Sequence, residues 1–524
     1  MSDVYEWLGI IIIIILGCMA VFISMSDSTE VVTGSVIDIN GSPFNDSKYV
    51  HASWGILIQD MASGEVIFDL NSKNMFVPGS TAKLFITSAA MDAYGPDYIF
   101  QTPVYAEGDI NNGTLNGDLV VVASGDLTMG GRNTPDGKIE FTNLDHGDAD
   151  AIEGATLTKA DPLSGLNELA RQVKASGIER VEGDVIIDDS LFNTTNSSTG
   201  DYVITPIMIN DNLIDVEVTP GQAGEDAVVN WRPQNGSYQV ISRVKTIASN
   251  ETDVEINYTG NGTITVDGYI SANSDPVLKT YTVKDPASFA RVLFIEALER
   301  EGVEVTSPKN ITNQELFNNT NASYNDSQQV ALLKSLPFSE NIKMIMKVSQ
   351  NIHADTLVSL MAAKNNNTTF EEGLSYEGAF LNKAGLSNNS IFLSDGRGGD
   401  SSDRISPQAA NQLLEYISNQ DYFQEYFNSL PVMGKDGFLA GVVVPESKIY
   451  GKINAKTGTT ISGDMAHQSL VLLSKGMSGY MTTKSGRKLI FSIYVDNVPI
   501  GGVEDTKLIL KDMASIMEKI YEEY

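Results

Sequence analysis

The sequence predicts an α/β (α+β) protein: an antiparallel sheet flanked by helices, interrupted by a long, mostly β insertion and preceded by one membrane-spanning helix. Three observations carry this expectation. Both ends of the chain alternate helix-like and strand-like segments, whereas the middle is largely short β-branched runs separated by Gly, Asn, Asp and Ser turns. Trp7 to Ser24 (WLGIIIIIILGCMAVFIS) is charge-free and apolar, near the ~17-residue lower limit for crossing a bilayer. At 524 residues the chain exceeds one ordinary domain, and a soft rule of ~150 residues per domain suggests about three.

Composition narrows the function classes. Sixty-seven acidic against 35 basic side chains leave a formal net charge of -32, a field that repels phosphate backbones. No basic patch with interleaved aromatics appears, so nucleic acid is not expected as a partner. The single cysteine, Cys18, lies inside the apolar run, which excludes an intrachain disulfide. Met1 to Glu6 lacks the basic residues of a cleaved signal peptide, so residues 1–25 read as an uncleaved membrane anchor. Sixteen Asn-x-Ser/Thr sequons, among them Asn40, Asn45, Asn112, Asn193 and Asn388, place the remainder on the extracytoplasmic face. The four histidines, His51, His146, His353 and His467, share no metal-ligand spacing, so neither a metal nor another cofactor is expected.

Along the chain, residues 26–47 are polar and read as a linker, with folded structure expected near Ala52. Trp54-Gly-Ile-Leu-Ile58 and Gly64 to Asp69 form a strand pair. Ser80 to Tyr94 (STAKLFITSAAMDAY) is a helix stopped by Gly95-Pro96. Strands are expected at Asp118 to Ala123, Gly183 to Asp188, Ile214 to Val218, Tyr238 to Ile241 and Thr263 to Val266, with helices at Pro162 to Ser176 and Phe289 to Glu301. Asn310 to Gln328 is a low-complexity boundary stretch. Helices then follow at Glu340 to Val348, Ala354 to Lys364, Pro407 to Asn419 and Glu504 to Glu522. The intervening strands are Lys448 to Ala455, Gln468 to Ser474 and Lys488 to Val495.

Three short motifs carry the chemistry. In Ser80-Thr-Ala-Lys83 the i, i+3 spacing puts hydroxyl and amine on one helix face. Serine needs a base, and lysine serves as one when burial lowers its pKa. Ser349-Gln350-Asn351 precedes a helix, so hydroxyl and amide can face one cleft. Lys456-Thr457-Gly458-Thr459 sets a cation among hydroxyls on a strand whose glycine lets a peptide lie against it. Each motif alone reads more simply as a helix cap or a strand end. Together, in this order, they match the signature of active-site-serine acyl-transfer enzymes.

The sequence resembles the low-molecular-mass class C penicillin-binding proteins, D-Ala-D-Ala carboxypeptidases and endopeptidases. The similarity extends to Ala123-Ser-Gly-Asp126, Val185 to Ser190, Val216 to Gly221, Ser394-Asp-Gly396, Asp403 to Pro407 and Met477 to Tyr480. Ser349 follows Ser80 by 269 positions, yet Lys456 follows Ser349 by only 107, which implies a large insertion after the nucleophile helix. The resemblance implies a β-lactamase/transpeptidase-like catalytic domain (48–101 and 330–524). It also implies an inserted domain (102–122 and 210–329) that contains a second, nested one (123–209).

By the same resemblance Ser80 is nucleophile, Lys83 base, Ser349 proton donor to the leaving amine, and Asn351 the amide that orients Lys83 and the substrate. Lys456 with Thr457 and Thr459 holds the substrate carboxylate, and Gly458 completes the substrate-binding set by letting the peptide lie along the strand. The implied partners are a peptide ending in D-Ala-D-Ala and β-lactams as acylating inhibitors. Gly125-Asp-Leu-Thr-Met129 and Asp395-Gly-Arg-Gly398 depart from the family's usual Gly-Asp-Pro-Thr-Leu and Asp-Gly-Ser-Gly, the second placing Arg397 near the cleft. Two alternatives share these residues: a β-lactamase or D-amino-acid esterase, and a non-enzymatic surface module that binds peptide.

Overall fold

Among the described residues, folded structure is present from Pro43, before the Ala52 at which the sequence predicts it. The computed structural model describes residues 43–317 and 324–524; the apolar run with Cys18, the linker as far as 42, and residues 318–323 of the low-complexity stretch lie outside them. Among the described residues no helix is long and apolar enough to cross a membrane. Pro43–Asn45 and Ser47–Tyr49 are 3-10 turns rather than linker. They are fixed because Phe44 and Tyr49 pack edge-on against Trp54, at 4.9 and 5.0 Å between ring centroids. Tyr49 Oη also donates to Asp512 Oδ2 at 2.7 Å, tying the start of the fold to its last helix.

The site is organised by a five-stranded antiparallel sheet of β1 (Ser53–Asp60), β2 (Val66–Leu70), β3 (Ile453–Asp464), β4 (Ser469–Thr482) and β5 (Lys488–Ile500), in the order β2-β1-β5-β4-β3. The first strand pairs with the last, from Ser53 opposite Asp496 to Asp60 opposite Leu489, so both ends of the described chain build one sheet. β3 starts later and runs further than the Lys448 to Ala455 expected, because Thr457 to Asp464 pair across the hairpin with Ser469 to Met477. β3 is an edge strand, and its outer backbone groups face the cleft.

Two helices lie at the centre of the catalytic part: α1 (Lys83–Tyr94), buried continuously from Lys83 to Met91, and α2 (Asn351–Lys364), buried from Ile352 to Ala362. Both are apolar around most of their circumference, as interior helices are. The helix Phe370–Lys383, absent from the sequence reading, carries two glycines. Its start is set by Thr369, whose Oγ accepts from Glu372 N while the Glu372 carboxylate accepts from Thr369 N.

The insertion has its own core, from Val104 and Leu119 through Leu166 and Val216 to Leu298 and Leu333. Its six-stranded sheet takes strands from both sides of the expected 122/123 boundary: Val185–Asp188 runs parallel to Thr114–Val122. A parallel pair needs a crossover, and the helix Ser164–Ala175 lies within that connection. The strand Gln101–Asn111 (QTPVYAEGDIN) escaped the sequence reading because Pro103, Gly108 and two acids blur its pattern; pairing with Thr114–Val122 and Gln329–Lys334 forms it.

Candidate active site

The turn that carries Ser80 is tighter than a regular helix start. Gly79–Ala82 is a 3-10 turn, and α1 begins only at Lys83. Gly79 has φ +48°, and a Cβ there would sit 2.8 Å from the Thr459 amide nitrogen. Gly458 answers from β3, where an added Cβ would lie 2.2 Å from Pro78 O and 3.1 Å from Ser80 N. The two glycines therefore allow the turn and the edge strand to touch backbone to backbone, bringing the Ser80 and Thr459 peptides together.

The structure brings Ser80, Lys83, Ser349, Asn351 and Lys456 into one hydrogen-bonded cluster. Lys83 Nζ lies 2.7 Å from Ser80 Oγ, 2.7 Å from Asn351 Oδ1 and 3.3 Å from Ser349 Oγ. Lys456 Nζ donates to Ser349 Oγ at 2.9 Å and to the Thr457 carbonyl at 2.9 Å. Burial pushes the Lys83 pKa down to about 7, against the opposing pull of the Asp355, Asp148 and Asp395 carboxylates. Burial, and then the nearby charge of Lys83, push Lys456 well below its ordinary value. Ser349 has φ 62°, a left-handed conformation that costs of order 1–3 kcal/mol outside glycine and persists where the surroundings impose it.

The residues that follow Ser349 are held from the insertion, by contacts that no motif signalled. Gln350, between Ser349 and Asn351, donates through Nε2 to Asp211 Oδ2 at 2.8 Å and accepts from Asn351 N at 3.0 Å. His353, one turn on, meets Asp211 Oδ1 at 2.9 Å. Asp211 itself lies in Asn210-Asp211-Asn212, three consecutive residues at φ 55°, 54° and 55°. Asp145, His146 and Asp211 gather like metal ligands. Arg132 Nη2 occupies their centre, 2.7 Å from Asp145 Oδ1, 2.7 Å from His146 Nε2 and 2.9 Å from Asp211 Oδ2, so a fixed cation already balances the carboxylates. Asp211→Ala should lower kcat by about 100-fold with KM nearly unchanged, since a ~1 Å misplacement of a reacting group costs that much. Steady-state kinetics on a protein with preserved far-UV dichroism checks this.

One further side chain, Asp148, was not legible as a site residue, and another, Arg397, takes a different orientation from the one expected. Asp148, closing the 3-10 turn His146–Asp148 of the insertion, is influenced by both Lys83 and Lys456, and burial pushes its carboxyl up to about 6. Arg397, expected beside the cleft, sends only its carbonyl there, 3.4 Å from Lys83 Nζ. Its guanidinium, 6% exposed, turns to Thr199 Oγ at 2.7 Å and Ser198 Oγ at 3.2 Å, over the Tyr202 ring. Acidic neighbours Asp395, Asp355 and Asp201 draw it away from substrate space.

A serine on a backbone-lined turn, a buried lysine of lowered pKa beside it and a second serine between two lysines define an active-site-serine acyl-transfer enzyme. The chain belongs to the D-Ala-D-Ala carboxypeptidase 3 (S13) family, whose model matches residues 43–520, and is accordingly a serine-type peptidase. It is 27% identical over 462 residues to the D-alanyl-D-alanine carboxypeptidase of Actinomadura sp. (strain R39), covering 84% of this chain and 77% of that one. It is 24% identical to D-alanyl-D-alanine carboxypeptidase DacB of Haemophilus influenzae, covering 89% and 90% respectively. The crystal structure of penicillin binding protein 4 from Haemophilus influenzae superposes with a TM-score of 0.68 at 22% identity, over 94% of this chain and 100% of that one. That likeness establishes the shared mixed α/β fold.

Proposed function

We propose that the chain hydrolyses the terminal peptide bond of acyl-D-Ala-D-Ala through an acyl-enzyme on Ser80. The observation that carries this is the continuous series Ser80 Oγ, Lys83 Nζ, Ser349 Oγ, Lys456 Nζ, with spacings of 2.7, 3.3 and 2.9 Å. Neutral Lys83, held by Asn351, takes the Ser80 proton as Oγ attacks the carbonyl carbon of the penultimate D-Ala. The N–H groups of Ser80 and Thr459 stabilise the oxyanion. Ser349 passes a proton to the departing D-Ala nitrogen as the C–N bond breaks, and water then hydrolyses the ester. The carboxypeptidase named in Actinomadura and the penicillin-binding relative of known structure support this substrate class and β-lactams as acylating ligands.

Intact mass spectrometry after incubation with a penicillin tests the reading. One adduct is expected, mapped to Ser80 and absent from Ser80→Ala. No adduct, or one that survives in the variant, overturns it, and rapid loss of the adduct would favour the β-lactamase alternative. The reading extends to location. The apolar run Trp7 to Ser24 and the sixteen sequons support a single N-terminal membrane anchor with the catalytic part extracytoplasmic. Release of the full chain from membranes by alkaline carbonate would count against the anchor.

A further inference from the structure

We propose that Lys475 is the counterion for the substrate's terminal carboxylate, a binding residue supplied by the strand beside the Lys-Thr-Gly-Thr edge. The proposal rests on the acyl-D-Ala-D-Ala reading and assigns one of its contacts to a residue outside the three motifs.

Strand register carries the argument. Thr459 on β3 pairs directly with Lys475 on β4, and directly opposed residues of an antiparallel pair project from the same face. Alternation puts Thr457 on that face as well, and Lys456 and Gly458 on the other. The second face is occupied: Gly458 lies against Pro78 and Ser80, and the Lys456 ammonium is engaged by Ser349 Oγ and the Thr457 carbonyl. The hydroxyls of Thr457 and Thr459 and the amine of Lys475 therefore form a separate cationic corner. Lys456 serves the proton-transfer side of the cleft.

Lys475 is built into that corner. Its side chain is only 6% exposed, yet its amine donates to Thr459 Oγ1 at 2.6 Å, and Thr459 is solvent-exposed at the cleft. No carboxylate among the described residues comes within ion-pair distance of it, and burial alone pushes its pKa down to about 8. An ammonium has three donors, and a buried cation without an anion is unfavourable. An incoming carboxylate accepting from Lys475, Thr457 and Thr459 relieves that cost. A carboxamide, which brings no charge, does not.

The test compares wild type, Lys475→Met and Lys475→Arg in the full chain on an acyl-D-Ala-D-Ala peptide and on its C-terminal amide. Methionine keeps the apolar stem, so folding is retained, as a thermal melt would verify. On the free acid, Lys475→Met should raise KM and lower kcat/KM by roughly 10- to 100-fold, the range for a charge-assisted contact. The loss on the amide should be about tenfold smaller or less, and Lys475→Arg should recover most of the activity on the acid. Equal losses on both peptides, or none on the free acid, overturn the assignment of Lys475 while leaving the peptidase reading standing. Wild type that cleaves neither peptide defeats the peptidase reading, and this assignment with it, before any variant is compared.

Discussion

Ser80→Ala should abolish turnover of acyl-D-Ala-D-Ala peptides, with kcat falling of order 10⁴-fold or more, while substrate binding measured by calorimetry stays close to wild type. The expectation follows from where the hydroxyl sits. Ser80 Oγ lies 2.7 Å from Lys83 Nζ, on a turn pressed against the Thr459 peptide, and among the described residues no other hydroxyl shares both relations. Ser349 Oγ touches both lysines, but it lies in a separate turn and cannot take over the attack. The substitution removes one oxygen and no packing volume, so the thermal transition should move little. Residual Ser80-independent turnover within a hundredfold of wild type would show that another group is the nucleophile.

Lys83→Met should cost ~10²- to 10⁴-fold in acylation rate, the usual contribution of a positioned general base. The same lysine sets the acid side of the pH profile. Burial brings its pKa to about 7, and only the uncharged amine can accept the Ser80 proton. Below pH 7 the amine is protonated and kcat/KM should fall about tenfold per pH unit; above it the amine is free and the rate should level off. The carboxylates of Asp355, Asp148 and Asp395 favour the charged form. Asp148→Asn should accordingly move the acid limb to lower pH. A limb unmoved in that variant, or one near pH 10 in wild type, would remove Lys83 from the role of base.

The cluster of Ser80, Lys83, Ser349, Asn351 and Lys456 was legible in the sequence because each motif depends on short spacing and local geometry. A three-residue step on a helix face, a turn before a helix and a glycine on a strand keep their meaning wherever the chain goes next. The long gap between Ser80 and Ser349 likewise announced an insertion by length alone. Even so, the expected regular helix at Ser80 became a 3-10 turn, since Gly79 and Gly458 had to let two backbones meet.

Only tertiary structure decided the rest. Asp211 reaches Gln350 across 139 positions of sequence, and nothing local to Asn210-Asp-Asn212 hints at that contact. Arg397 lies beside the cleft as expected, but its guanidinium is held by Ser198 and Thr199 and only its carbonyl faces Lys83. Lys475 lies one residue beyond the strand Gln468 to Ser474 that the sequence predicts, within a strand that runs on to Thr482, and gains meaning only from its register opposite Thr459. Residue type and short spacing thus determined which chemistry this chain can perform. Which buried charges stand near that chemistry, and so what pKa each lysine has and which anion finds a partner, was determined by long-range packing, because desolvation and pairing depend on neighbours that only the completed fold assembles.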